Sequence, residues 1–197
     1  MENNNSKSIG LTQSQIKALE NGATIFIFPI DIVEDGYKYD ITKITKTDIY
    51  AKYEDDKFIK KIKQSLRMFE KQELGFQKGD KDVFIKEDWD IWDDFRGIEH
   101  FRYKSNVVDT ENFDFENASQ MTKEQSRFSF KEILDVRVMK VQDIIQGSEI
   151  QKINPNLLNY KMFIYEYNNQ LKEQNINRTY EDNDYVFLVE IDRGEVK

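Results

Sequence analysis

Cysteine is absent from this chain of 197 residues, which excludes disulfides, thiolate zinc sites and cysteine nucleophiles. The single histidine, His100, excludes a zinc site of several histidines, and a serine-histidine triad would depend on this one residue. No serine lies in a Gly-x-Ser-x-Gly pattern, and no glycine-rich phosphate loop is present. We therefore expect neither a metal ion nor a cofactor.

Long apolar runs are also missing. No stretch approaches the ~18 residues that cross a bilayer, and the start "MENNNSKSIG" lacks the basic-then-apolar order of a signal peptide. Two prolines and eight glycines argue against linkers and repeats. We expect a cytoplasmic protein without membrane contact, with a disordered N-terminus at residues 1–10 and one domain at residues 11–197.

Acidic side chains outnumber basic ones by 37 to 29, and the formal net charge is -8. Because phosphate contacts dominate non-specific nucleic-acid binding, this charge argues against general coating of DNA or RNA. Acidic and aromatic residues concentrate at residues 89–117, but Trp92 and Asp93 stand where a calcium loop needs an oxygen ligand and a glycine. We interpret "EDWDIWDDF", residues 87–95, as a solvated acidic loop. The aromatic side chains of the wider segment either join the core or stack on a base. These aromatic residues are Trp89, Trp92, Phe95, Phe101 and Tyr103.

The first half of the chain predicts helices and strands by its spacing. Thr12 and Gln15 have the capping-box spacing, and Gly22 fits a helix stop, so a short helix is expected there. A strand, "ATIFIFPIDIV", follows, with Pro29 favouring an edge or a bulge. Next, "YKYDITKITKTDIYAKY" predicts a hairpin. The segment "DDKFIKKIKQSLRMFEKQELG" predicts an amphipathic surface helix.

The second half continues with "DVFIKEDW" as a strand and "SRFSFKEILDVRVMKVQDI" as a longer strand with a bulge near Leu134. A helix is expected from Asn154-Pro155 onward, and "DYVFLVEIDR" reads as a central strand that is buried on both faces. Together the elements predict a mixed α+β domain whose sheet curls into a barrel.

Four segments carry a family resemblance: "QIKALENGATIFIFP", "KGDKDVFIKEDW", "SQMTKEQSRFSFKEILDVRVMKVQDI" at residues 119–144, and "NDYVFLVEI". In order, they resemble the opening helix with "DGRKTQTRR", the "PGD-x-hydrophobic-V-R-E-T-W" strand, "SIHMPRWASRITLEVTDVRVERLQDI" and "NPWVWVIEF" of the ASCH family in the PUA-like superfamily. The likeness is greatest to phage and prophage members, and it covers about residues 11–192. The third segment is the most specific.

This resemblance implies a PUA-like mixed β pseudo-barrel with flanking helices and a cleft that holds RNA or single, often modified, bases. Some small ASCH proteins are amidohydrolases of N4-acetylcytidine, using a lysine and a threonine from the first motif and a glutamate from the second. Glu87 matches that glutamate, Lys86 stands for the preceding arginine, and Trp89 matches the tryptophan. Thr24 occupies the position of the lysine, so the catalytic motif is degenerate.

Our first hypothesis is therefore a non-catalytic module that binds RNA or a modified nucleobase in a bacterial or phage-infected cell. Its ligand-binding residues would be Glu87, Lys86, Trp89, Thr24 and Arg127, with Glu87 accepting hydrogen bonds from a base edge. One alternative is an amidohydrolase of acylated nucleosides that uses Glu87 as a catalytic residue with another lysine. The other alternative is a phage interaction protein whose acidic face, residues 87–116, engages a basic host protein or mimics nucleic acid.

Overall fold

The computed structural model of the protein describes residues 6–34, 37–45, 49–53, 59–62, 74–145 and 149–196. Its α-helices are α1 (Gln13–Glu20), α2 (Val141–Ile145), α3 (Glu149–Ile153) and α4 (Tyr160–Glu173). Its strands are β1 (Ser8–Gly10), β2 (Ile25–Pro29), β3 (Asp31–Glu34), β4 (Tyr37–Ile44), β5 (Ile49–Tyr53), β6 (Ile59–Ile62), β7 (Lys81–Lys86), β8 (Trp89–Asp93), β9 (Glu99–Tyr103), β10 (Phe128–Lys140) and β11 (Tyr185–Val196).

The described strands form three sheets. A five-stranded sheet has the order β1-β7-β10-β11-β2, a four-stranded sheet has the order β3-β4-β5-β6, and β8 pairs with β9 alone. Only β1 and β7 run parallel; every other pair is antiparallel. The mixed α+β class is confirmed, but these strands form no closed barrel. Near Pro29 the chain leaves the five-stranded sheet after β2 and enters the four-stranded sheet as β3.

Strand β11 is central, as its apolar sequence predicts. It pairs with β10 on one side and with β2 on the other. Val186 and Leu188 pack among the helices α2 to α4, whereas Phe187 packs on the four-stranded sheet beside Ile41 and Ile49. Successive side chains thus enter two different parts of the core, which explains why the strand lacks polar alternation.

Two local predictions are confirmed. Thr12 caps α1, and the side chain of Gln15 bonds back to the Thr12 N–H, which completes the capping box. Gly22 follows the helix with φ 104°, a conformation that a residue with a Cβ rarely adopts. In β10 the register shifts between Ile133 and Asp135, so the predicted bulge lies at Leu134.

Four predictions need correction. Ile59–Ile62 form β6, because pairing with β5 satisfies their backbone. Residues 55–58 and 63–73 of that predicted helix lie outside the described residues. Ser8–Gly10 are not disordered, since they pair with β7. Helix α4 begins at Tyr160 because Asn159 supplies its N-cap. The acidic stretch "EDWDIWDDF" is not a loop, since Trp89–Asp93 form β8, which pairs with β9. Across the described chain, no helix is long and apolar enough to span a membrane.

Candidate functional site

Glu87 lies directly after β7 and is buried, with 5% of its surface exposed. Its Oε1 accepts a hydrogen bond from Arg127 Nε at 2.8 Å, and its Oε2 accepts one from Arg127 Nη2 at 3.0 Å. Ser105 Oγ donates to the same Oε2 at 2.7 Å. A guanidinium therefore neutralises the carboxylate in a bidentate ion pair, the geometry in which such hydrogen bonds are strongest.

Arg127 connects several parts of the fold around this pair. Its Nη1 donates to Glu20 Oε1 at 2.7 Å, which ties the end of α1 to the start of β10. Its guanidinium carbon lies 4.7 Å from the ring centroid of Tyr103 and 4.8 Å from that of Phe128. This sandwich holds the guanidinium between two aromatic faces by cation–π attraction.

The pKa of Tyr103 is shifted by its burial beside the ion pair of Glu87 and Arg127. Its hydroxyl donates to the carbonyl oxygen of Gln125 at 2.8 Å. Burial raises the pKa of Tyr103 above its usual 10.0, the negative charge of Glu87 raises that pKa further, and Arg127 opposes both effects. The phenol therefore stays neutral around pH 7.

The structure brings together only part of the site predicted from the sequence. Glu87 and Arg127 meet, but Lys86 points its Nζ at the carbonyl oxygen of Ser119, 3.1 Å away. Thr24 uses its backbone to bond Lys152 and Ile191, and no described hydrogen bond joins it to the ion pair. Trp89 is buried with its ring centroid 5.8 Å from that of Phe101. Trp89 Nε1 has no hydrogen-bond partner among the described residues.

The hairpin of β8 and β9 ends in a tight loop built by Asp94. Asp94 Oδ1 accepts hydrogen bonds from the N–H groups of Arg96 at 2.8 Å and Ile98 at 3.0 Å, and Gly97 has φ 74°. The Ile98 N–H is the largest cause that lowers the pKa of Asp94 to about 2; partial burial opposes it and Arg96 supports it. The carboxylate is therefore charged across the ordinary pH range and fixes the loop.

Exposed apolar side chains concentrate on and beside this hairpin. Eleven large apolar residues are exposed among those described, and seven of them lie between residues 91 and 113. Clusters of exposed apolar surface usually mark interaction sites, whereas scattered ones need no explanation. The seven residues are Ile91, Trp92, Phe95, Ile98, Phe101, Val108 and Phe113.

An open groove of about 480 Å³ lies against β9, a volume within the usual range for small-ligand sites. Arg102 crosses it, with its guanidinium carbon 4.3 Å from the Phe113 ring centroid and 5.6 Å from that of Trp92. Asp90 neutralises Arg102 at 3.2 Å. The groove is lined by the aromatic residues Trp92, Phe101, Tyr103 and Phe113 and by the polar residues Arg102 and Asn106, together with two valines.

The sequence had indicated Trp92, Phe101 and Tyr103 as residues able to stack on a base, and the structure places all three around this groove. Arg102, Asn106 and Phe113 were missed. Gly97 could have indicated a hairpin turn between "WDIWD" and "EHFRY". Such a hairpin places Asp90 opposite Arg102 and would have identified Arg102.

In the described part of the chain, no group of three or more His, Cys, Asp or Glu side chains could hold a metal ion. No family model, curated protein or solved structure matches this chain. The likeness to ASCH proteins therefore rests on the sequence motifs.

Proposed function

We propose that this protein is a non-catalytic binding module that holds a planar, uncharged ring, such as a nucleobase or a nucleoside, in the groove beside β9. The observation that carries the proposal is the group of exposed aromatic rings around an open groove of about 480 Å³. Stacking of a base on an aromatic ring contributes roughly 1–3 kcal/mol. Trp92 and Phe113, which contact Arg102 on one face of the hairpin, are partly exposed and offer such rings, whereas Phe101 belongs to the opposite face.

Polar groups in the groove suit a base edge. Asn106 is exposed there, and its amide carries both donors and an acceptor, the combination that pairs with the edge of an adenine. Arg102 already pairs with Asp90, and its planar guanidinium lies over the Phe113 ring. It therefore extends the flat stacking surface of the groove more than it adds net charge. A stacked ring with one amide contact is the simplest complex that fits.

Charge restricts the ligand to species with little negative charge. Residues 87–116 contain ten acidic and three basic side chains, a net charge of -7. Long RNA or a nucleoside triphosphate would bring its phosphates into this field and would be repelled. The acidic surroundings therefore favour a free base, a nucleoside or an exposed terminal base over a nucleic-acid strand.

Binding fits the geometry of Glu87 better than hydrolysis does. A general base needs a carboxylate that can reach a substrate proton, whereas Glu87 is buried and already accepts three hydrogen bonds. No lysine donates to Glu87 among the described residues, and Lys86 is directed at Ser119. We therefore assign Glu87 a role in holding β9 and the groove in place.

The test is calorimetry with adenosine, cytidine, N4-acetylcytidine and the corresponding monophosphates. We expect at least one nucleoside to bind more tightly than its monophosphate, and Trp92→Ala to weaken its affinity by about 5- to 150-fold, the loss of one stacked ring. Tyr165→Ala is the matched control, because Tyr165 is an exposed aromatic residue on α4, away from the groove.

Absence of binding by every nucleoside, or equal affinity in the wild type and Trp92→Ala, would refute the proposal. The N4-acetylcytidine sample is also followed by chromatography. Release of cytidine that Glu87→Gln abolishes would show that the amidohydrolase alternative is correct instead.

A further inference from the structure

The outer edge of β8 has unused hydrogen-bonding groups. Trp89 exchanges both backbone hydrogen bonds with Glu116, at 3.2 Å and 2.6 Å, so these groups of Trp89 face away from β9. In an antiparallel ladder the direction alternates, and therefore the N–H and C=O groups of Ile91 and Asp93 face the same outer side. Within the described chain no acceptor or donor meets them there.

Natural proteins usually protect such an edge with lysine, proline or a bulge, because an open edge can pair with another chain. Strand β8 reads "WDIWD" and has none of these three devices. Ile91 is 43% exposed, and the nearby tip presents Phe95, at 97% exposure, and Ile98, at 47%. The unpaired edge thus adjoins an apolar tip that lies outside the groove described above.

Side-chain pairing on this hairpin indicates which partner fits. Asp93 and Glu99 are both exposed and lie directly opposite each other, so two negative charges face one another across the strands. Like charges in this arrangement destabilise a sheet. On the same face, the next pair is Ile91 with Phe101, so an apolar pair is followed by an acidic pair.

We propose that the outer edge of β8 binds an extended segment of a basic protein, which adds to the hairpin as a third strand. An apolar side chain of the partner packs beside Ile91, and a neighbouring lysine or arginine on the same face lies beside Asp93 and relieves its repulsion with Glu99. The backbone groups of Ile91 and Asp93 form the ladder, a recognised mode of peptide binding. A second copy of this chain fits poorly, because residues 87–116 carry a net charge of -7 in each copy.

The probes are a synthetic peptide with the repeat valine-threonine-lysine-threonine, which places valine and lysine in turn on one face of a strand, its twin with glutamate for lysine, and an N-methylated twin that cannot donate backbone hydrogen bonds. Binding is followed by fluorescence anisotropy, and amide hydrogen exchange is measured by NMR. We expect only the lysine peptide to bind and to slow exchange at Ile91 and Asp93.

Two charge-reversal variants separate the edge from general electrostatic attraction. Asp93→Lys should weaken peptide binding by about tenfold or more, while it pairs with Glu99 and leaves the hairpin folded. Glu181→Lys makes the same change in net charge at an exposed position in the turn before β11, outside residues 87–116, and should leave affinity within about twofold. Asn106→Ala alters the groove but should not alter peptide binding, so this test is independent of nucleoside binding.

Several results would overturn the proposal. These are no binding of the lysine peptide, equal binding of its N-methylated twin, equal weakening by both charge reversals, or unchanged exchange at Ile91 and Asp93. A concentration-dependent dimer that protects the same amides in sedimentation and exchange experiments would identify a second copy as the occupant, and would equally overturn it.

Discussion

Removing the carboxylate of Glu87 should destabilise the protein more than removing that of Glu20, the other described carboxylate bound to Arg127. In Glu87→Ala, Arg127 keeps its charge but loses two hydrogen bonds, in a side chain that is only 10% exposed. Ser105 loses its acceptor as well. Breaking one side of a buried pair typically costs about 3–5 kcal/mol, because the guanidinium loses its buried partner in a site that water hardly reaches and keeps only Glu20, which is partly exposed.

Glu20→Ala is the matched control for this prediction. Glu20 also accepts a hydrogen bond from Arg127, at 2.7 Å, but its side chain is 34% exposed. Water can therefore replace much of the interaction, and the expected cost is about 0–1 kcal/mol. Each variant removes a carboxylate that accepts hydrogen bonds from Arg127. The two carboxylates differ mainly in burial.

The assay is urea unfolding followed by tryptophan fluorescence, which reports on Trp89 and Trp92 near the ion pair. The reasoning is refuted if Glu87→Ala costs no more than Glu20→Ala. A double variant, Glu87→Leu with Arg127→Met, should recover part of the loss, since an apolar pair of similar volume removes the unpaired charge. No recovery in the double variant would show that packing, rather than charge, dominates the site.

Three further predictions follow from other parts of the fold. Because the pKa of Asp94 is lowered to about 2, the stabilisation of the hairpin by Asp94 is complete above the ordinary pKa of 3.8 and is lost as pH falls toward 2. NMR titration of the Ile98 amide should therefore give a midpoint near 2, and a midpoint near 3.8 would contradict the loop geometry. The pKa of Tyr103 is raised, so the contribution of Tyr103 to the free energy of unfolding is complete below pH 10.0 and is lost as pH rises through the folded-state pKa. In urea unfolding at alkaline pH, Tyr103→Phe should make stability fall less steeply with pH, and an unchanged slope would contradict this. Thr12→Ala removes the cap of α1 and should cost about 0.5–2 kcal/mol in urea unfolding, whereas a cost near zero would show that the capping box is not needed.

The resemblance to ASCH proteins predicted that Glu87 and Arg127 belong to one site, and these two residues form an ion pair. Their meeting could not be derived from spacing, since 40 positions separate them and β7 must pair with β10 before they become neighbours. The same pairing determines that the carboxylate is buried and engaged. Thr24 and Lys86, which the resemblance placed at substituted motif positions, make their hydrogen bonds elsewhere.

Local chemistry was sufficient for several elements of this protein. The capping box of α1 involves residues three positions apart, the bulge in β10 appears as a shift of phase at Leu134, and the unbroken apolar run of β11 requires burial on both faces. In each case the element is stabilised by residues that are close in the sequence, or its sequence pattern is compatible with only one environment. Composition alone also excluded disulfides and thiolate metal sites.

Tertiary pairing decided the rest. Ile59–Ile62 have the spacing of a helix, but β5 offers them a ladder of backbone hydrogen bonds, and sheet formation prevails. The acidic segment forms a hairpin because Asp94 binds its own loop and because the strands set Asp90 opposite Arg102. The groove, its aromatic lining and the open edge of β8 arise only when those strands pair, since the chemistry of a site depends on which distant side chains the fold makes adjacent.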